Sequence, residues 1–414
     1  MKLLIVSANF APEPVGIGKY SGEMAEWLVA QGHEVRVVCA PPYYPTWRVD
    51  AAWRWPPYRH EVWRGVRVWR APLWVPARPG GLKRVLHLAS FALASLPSLL
   101  RQWAWRPEVV MVVAPALLCA PMGWLTARAT GARAWLHVQD FEVDVALKMG
   151  LLRQGLLRRL ALGVESWLLR RFDTVSTISG RMHEHLLRKG VSPERAQRFP
   201  NWADVQAVRP LRGASAYHAE LGLPGGARVA LFSGSWSAKQ GLDTVVQAAR
   251  ALRHRPDIVF VVCAQGARQA ELEAAARELS TLRLLPLQPL ERLGELLGLA
   301  DAHLLPQSVE AEDLVLPSKL TNMLASGRPV VAPCRAGTEL AEVVGHCGVV
   351  APPGDPSALA RAIEALMDDP ARRETLGRRA REHAERHIDR EAVLRTLESQ
   401  LLAGQAGDAT RVTP

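Results

Sequence analysis

The chain has 414 residues, with 51 basic and 40 acidic side chains and a formal net charge of +11. That length suits two or three domains, each with its own core, and a composition 49% hydrophobic and 22% charged excludes a disordered, collagenous or coiled-coil chain. Five scattered cysteines without a C-x-x-C pair argue against a disulfide scaffold or zinc ribbon and favour a reducing compartment.

The opening apolar run to Ser7 is too short for a secretory signal. The longest run, Leu88 to Leu100, contains Pro97 and is too short to span a bilayer. Lys2–Ser7 reads as a strand, Ala11–Gly18 as a Pro/Gly loop, Tyr20–Gln31 as an amphipathic helix stopped by Gly32, and Glu34–Cys39 as the next strand. This is a βαβ unit, and so implies a parallel sheet.

From Trp47 to Arg106 there are eleven Lys/Arg against two acids, Asp50 and Glu61, with eight of the fourteen tryptophans. Met1–Val205 holds 27 basic and 15 acidic residues, so all the excess positive charge lies in the first half. Two readings are open: a solvated basic face over a tryptophan core, or an anionic membrane interface where arginine meets phosphate and indole sits among headgroups. The helix predicted from Gly81 to Leu100 fits the second reading by lying in the interface. Nucleic acid is excluded as a partner, because no zinc-finger spacing, RNP-like motif or helix-turn-helix is present.

Val109–Val113, Ala134–Val138 and Thr174–Ile178 continue the strand series. A second series follows Val208–Gly226: strand Arg228–Phe232, loop Ser233–Gly241, helix Leu242–Leu252, then strands Ile258–Cys263, Leu282–Leu285, Ala302–Leu305 and Val330–Ala332. Ser357–Met367 and Ala371–Leu402 are helical by period, and the chain from Gly404 reads as a frayed tail. The predicted fold class is α/β, with two Rossmann-like doubly wound domains and a ligand cleft where the carboxyl ends of their strands face each other. The predicted boundaries are 1–205, 206–385, a C-terminal helix over 386–403 returning to the first domain, and a disordered tail over 404–414.

Three loops and one strand end are suited to chemistry. Gly16-x-Gly18 sits between a strand and a helix, where glycine admits a ligand to the backbone and the helix start favours an anion; a plain turn fits equally. Phe232–Gly241 repeats the design, with Ser233, Gly234, Ser235 and one of only seven lysines, Lys239, suited to phosphate as a point charge. Pro317, Ser318 and Lys319 open a helix stopped by Gly327, either as a second anion clamp or as an ordinary capped helix. His137 and Asp140, at a strand's carboxyl end, are placed to bond a sugar hydroxyl or accept a proton, although a histidine there also serves as a satisfied structural group. No D-x-D triplet or metal-ligand spacing occurs, so no metal and no cofactor is expected.

With these residues assembled, the chain resembles the GT-B-fold retaining glycosyltransferases of family 4, nearest the colanic-acid-type exopolysaccharide enzymes. The resemblance runs from Pro12–Tyr20 and Gly32–Val35 through Ala40–Pro45, His137-x-Gln139-Asp140 and Phe199–Trp202 to Lys239–Leu242 and Leu316–Asn322. It implies metal-free, retaining transfer of a sugar from a nucleoside diphosphate donor held mainly by the second domain. The donor implied is a GDP-sugar, GDP-fucose first, and the acceptor is a polyprenyl-diphosphate-linked glycan at the cytoplasmic face of the membrane.

On matching positions, Lys239, Ser318 and Lys319 would contact the diphosphate, with Ser233–Gly234 beneath and Gly16–Gly18 approaching from the first domain. His137 would contact the donor sugar, and Asp140 would serve the acceptor. Two departures stand out. The family's E-x7-E pair is replaced by Leu314 and Asn322, and Ser235 stands where an arginine is usual. The rival readings are another GT-B enzyme, such as a nucleotide-sugar epimerase, or a non-catalytic glycolipid-binding scaffold. An NAD dehydrogenase is disfavoured by the incomplete glycine fingerprint.

Overall fold

The computed structural model describes residues 1–77, 80–115, 117–141, 143–144, 147, 155–236, 241–266, 269–307 and 316–409. The chain forms two compact units, Met1–Pro200 with Leu394–Pro414, and Asn201–Val393. The first therefore ends five residues before the predicted boundary at 205, and it is completed by the chain's last segment.

In chain order the first unit contains β1 (Lys2–Ser7), α1 (Gly16–Ala30), β2 (Glu34–Cys39), β3 (Arg59–Trp63), β4 (Val66–Arg70), α2 (Gly81–Trp103), β5 (Val109–Ala114), α3 (Ala120–Thr130), β6 (Arg133–Val138), α4 (Leu156–Leu169), β7 (Thr174–Thr177), α5 (Gly180–Arg188) and β8 (Ala196–Arg198). The sheet order is β3-β4-β2-β1-β5-β6-β7-β8, parallel throughout except for β3 against β4. Every residue of β5, and every residue of β1 after Lys2, is buried. Their unbroken apolar runs thus reflect a sheet covered on both faces. Strand order reverses at β1, between β2 and β5, which makes its carboxyl end the expected ligand position.

The Trp47–Arg106 segment is only in part the surface that its composition suggested. Its middle is the β3–β4 hairpin, turned by Arg64 and Gly65, both at positive φ. Arg36 lies over Trp69 and Trp105, Arg70 over Trp53, and Arg64 over Trp63. Guanidinium planes are weakly hydrated and stack on indole, so Trp53, Trp63, Trp69 and Trp105 are held in internal contacts, while among the described residues seven of the segment's eleven basic side chains are exposed. Arg70 is fully buried, with its nitrogens donating to Glu61 (2.7 Å), Ala40 O (2.9 Å) and Ala11 O (2.7 Å).

The second unit contains α6 (Ala216–Glu220), β9 (Arg228–Trp236), α7 (Leu242–Ala251), β10 (Ile258–Gly266), α8 (Gln269–Glu278), β11 (Leu282–Leu285), α9 (Leu293–Gly298), β12 (Ala302–Leu304), α10 (Lys319–Ala325), β13 (Val330–Pro333), α11 (Glu339–Cys347), β14 (Gly348–Ala351), α12 (Pro356–Met367) and α13 (Pro370–His387). Its all-parallel order is β11-β10-β9-β12-β13-β14, with the reversal at β9. β9 runs four residues beyond the predicted strand. Ser233–Trp236 pairs with Cys263–Gly266, so the first part of the predicted loop is sheet.

One predicted helix, Ala371–Leu402, is two. The chain breaks at Ile388–Asp389, where Ala203 N–H donates to Ile388 O (2.8 Å) and Arg390 N–H to Ala203 O (2.9 Å). Asp389 then accepts from Ala392 N–H (3.0 Å), restarting the chain as α14 (Arg390–Ala409), which continues past the predicted fraying point at Gly404. As expected, α14 packs on the first unit. Leu394, Leu397 and Leu401 are buried, Glu398 pairs with His33 (2.7 Å), and Arg133 donates to the carbonyls of Gln400 and Leu401.

Gly348 opens β14 so close to β13 that a Cβ there would collide with the carbonyl oxygen of Val330 and lie 2.8 Å from its backbone nitrogen. Gly348→Ala is expected to cost about 2–3 kcal/mol, read as a lowered melting temperature. An unchanged melt would refute the close packing.

Candidate active site

In the first unit the site is built on the carboxyl ends of β1, β2 and β6. Glu13, in the β1–α1 loop, is buried; its Oε1 accepts from the backbone N–H of Tyr43 (3.0 Å) and Tyr44 (2.9 Å), and its Oε2 accepts from Asn9 Nδ2 (2.9 Å). Desolvation pushes the Glu13 carboxyl above its ordinary value, against these hydrogen bonds and the charge of Arg70. Gly18 follows from this. A Cβ on it would lie 2.5 Å from Glu13 Oε2 and 3.2 Å from Phe10 O, so its bareness makes room for Glu13 and not for a ligand. Gly16 begins α1 at φ +62 and abuts Tyr44: a Cβ added to it would lie 3.7 Å from ring carbon Cε1 of that tyrosine.

Tyr44, half-buried, is pushed upward first by burial and then by Glu13 and Asp140, with Arg84 opposing. The electrostatics thus group Asp140, directly beyond β6, with Tyr44, Glu13 and Arg84. Of these, sequence reasoning chose only Asp140. A lone carboxylate between two prolines, three residues before Gly16, was the available signal for Glu13.

His137 is not placed as expected. It lies inside β6, buried, with Nδ1 on Ser176 Oγ (2.9 Å), Nε2 receiving Gln139 Nε2 (3.2 Å), and its ring against Phe199. Burial drives its pKa down to about 3, so it is neutral near pH 7, and both ring nitrogens are engaged internally. The structural reading of His137 is the one this geometry fits.

In the second unit, Ser233 stands on β9 opposite Cys263, and Gly234 holds φ +149, a conformation open to glycine. Lys239 lies outside the described residues, as does the side chain of Ser235. Pro317 and Ser318 precede α10 as predicted, but Ser318 accepts no capping bond from the helix's first turn; its carbonyl instead receives Thr321 Oγ1 (2.8 Å). Asn322 is half-buried one turn into α10. Lys319 projects its Nζ over the Phe232 ring, 4.7 Å from the centroid, which brings the start of α10 to the reversal strand β9. Burial lowers the Lys319 ammonium to about 8. Because α10 has only seven residues, Lys319 and not the helix dipole supplies most of the positive potential here. Buried His303 bonds Ser326 Oγ (2.9 Å) at the far end of α10. Among the described residues no His/Cys/Asp/Glu group is arranged to hold a metal.

Residues 15–202 match the glycosyl transferase 4-like domain, and residues 214–383 match the glycosyl transferases group 1 domain. A protein of Escherichia coli K12 named as the putative colanic acid biosynthesis glycosyl transferase WcaI is 42% identical over 95% of this chain and 98% of its own. The chain belongs to the family-4 glycosyltransferases. This glycosyltransferase shares its GT-B fold with the sucrose-phosphate synthase of Thermosynechococcus elongatus (TM-score 0.75, 19% identity, 99% of this chain and 100% of that one). It is similar too to Anabaena Alr3699/HepE, solved with UDP and glucose (TM-score 0.69, 14% identity, 97% and 100% covered).

Proposed function

We propose that this glycosyltransferase serves exopolysaccharide biosynthesis, moving a sugar with retained configuration and without a metal from a nucleoside diphosphate donor to a polyprenyl-diphosphate-linked glycan at the cytoplasmic membrane face. The 42% identity to WcaI supports the exopolysaccharide setting, and a relative of the same fold solved with UDP supports a nucleotide-bound donor. The observation that carries the reading is Lys319, a desolvated ammonium over Phe232, midway along the reversal strand β9 and at the start of α10. Breaking the anomeric bond builds charge on the departing diphosphate, and a fixed cation there stabilises the transition state more than the ground state.

In this scheme Ser233, Gly234, Pro317, Ser318 and Asn322 line the donor, and Lys239 joins Lys319 on the phosphates. Gly16, Tyr44 and Asp140 serve the acceptor, with Asp140 the group suited to its hydroxyl. GDP-fucose is the first donor to try, since a GDP-sugar is what the resemblance to colanic-acid-type enzymes implies.

A thermal-shift panel of GDP, UDP, ADP and their sugars tests the donor, because a ligand of the native state alone raises the melting temperature. We expect GDP to give the largest rise. A rise with UDP alone would reassign the base, and no rise with any would overturn the reading. Mass spectrometry of a lipid-linked acceptor then separates transfer from epimerisation, and from glycolipid binding without release of nucleoside diphosphate.

A further inference from the structure

Exposed large apolar side chains are unevenly shared between the units. Among the described residues of the second unit only Leu287 and Leu290 qualify, whereas the first unit exposes many. Those on its helices form stripes. On α2 they fall at Leu82 (72% exposed), Val85, Leu86, Leu93 (70%), Leu100 and Trp103, on one side of the helix within an arc of about 100° at 3.6 residues per turn. On α4 they fall at Leu156 (84%), Leu160 (60%), Val164 and Trp167, again on one side.

These helices share one layer. α2, α3 and α4 connect strands that step away from β4 in the same direction, opposite to the step of α1, so right-handed crossovers place all three on the face that α1 does not cover. Side chains join them in that order. Trp103 Nε1 donates to Thr126 Oγ1 (3.3 Å) between α2 and α3, and Arg171, just beyond α4, lies over Trp124 of α3 and Trp167 of α4. Exposed Leu125 on α3 continues the apolar surface between them.

The charges of this layer have one sign. Neither α2 nor α3 contains an Asp or Glu. The single acid of α4, Glu165, is buried and paired with Lys189. The basic side chains face outward: Lys83 and Arg101 on α2, Arg128 on α3, Arg158 and Arg159 on α4. A surface of apolar stripes and outward cations, free of exposed carboxylate, is complementary to an anionic lipid headgroup layer with accessible acyl chains. A two-fold contact between copies would set these arginines against one another.

We propose that the α2–α3–α4 layer is the face by which the enzyme docks on an anionic lipid surface, with α4 as a principal contact. The assignment rests on the reading above that the acceptor is held in a membrane. Docking orients the sheet's other face away from the lipid.

The test is co-sedimentation of the full chain with vesicles of phosphatidylcholine, alone or enriched in phosphatidylglycerol, at low and high salt. The wild type is expected to pellet with the enriched vesicles at low salt. Arg158→Glu with Arg159→Glu should weaken binding roughly tenfold or more and flatten its salt dependence. Leu156→Gln with Leu160→Gln should weaken it at both salts, while Leu287→Gln in the second unit should bind as wild type; matching melting curves confirm that the variants fold. Wild type left in the supernatant, or either α4 pair binding normally, would overturn the assignment. A concentration-dependent dimer that the α4 pairs dissolve would overturn it in favour of self-association. These vesicles carry no glycan acceptor and no nucleotide, so a negative result removes the docking face alone, whereas the enzymatic reading stands or falls on sugar transfer.

Discussion

Lys319→Ala is expected to lower kcat/KM for the donor by about 10²-fold, the usual loss when one fixed transition-state contact is removed, while leaving the melting temperature unchanged or slightly raised. A purely structural lysine would give the reverse pattern. The ammonium is held at a cost, since burial lowers its pKa to about 8 from 10.5, and alanine removes that desolvated charge. The same shift sets a pH dependence. In the free enzyme Lys319 sheds its proton above about pH 8, so kcat/KM should decline there, and a bound diphosphate should carry the limb in kcat to higher pH. Lys319→Arg keeps its charge and should abolish the limb, though its planar fork replaces a point charge and lowers the rate. Stability runs the other way. Between about pH 8 and 10.5 the unfolded chain holds the proton that the folded chain has lost, so unfolding free energy rises with pH through that window, and Lys319→Ala removes the rise. Wild-type turnover in Lys319→Ala would end the assignment.

Glu13→Ala is expected to cost about 3–5 kcal/mol, because two backbone N–H groups and the Asn9 amide lose one buried acceptor group. The melting temperature should fall, and Tyr44 should lose its fixed position against Gly16. Glu13→Gln keeps an oxygen for Tyr43 and Tyr44 but turns an amide toward Asn9 Nδ2, so an intermediate loss is expected. Since burial raises the folded pKa of Glu13 above its ordinary 4.5, the native state holds this proton longer than the unfolded chain. Its contribution therefore declines as pH rises from 4.5 through the folded value, and the glutamine variant should lack that slope. A Glu13→Ala protein as stable as the parent would show that the loop is held by something else.

Buried parallel strands announced themselves, because β1, β5 and β9 need unbroken apolar runs rich in β-branched residues. The β3–β4 hairpin did not, since Arg70 and the tryptophans around it read as surface until their stacking was visible. The place of Lys319 at the start of a short helix was legible, because Pro317 and Ser318 precede it and Gly327 follows. His137 was not, because its partners Ser176 and Phe199 are about forty and sixty residues away in sequence. Gly18 misled for a related reason. A glycine that admits a carboxylate of its own chain looks the same in sequence as one that admits a phosphate.

The last helix gives the order of folding an unusual turn. Strands β1 to β8 leave the ribosome before the second unit, yet their unit lacks Leu394, Leu397, Leu401 and Glu398, which pairs with His33, until Asn201–Val393 has been made. Asn201–Val393, by contrast, is contiguous and can finish as soon as it emerges. Domains made earlier commonly fold earlier during synthesis; in this protein the later-made unit can close first, and a chain stopped at residue 393 should damage the amino-terminal unit while leaving Asn201–Val393, in which it ends, intact.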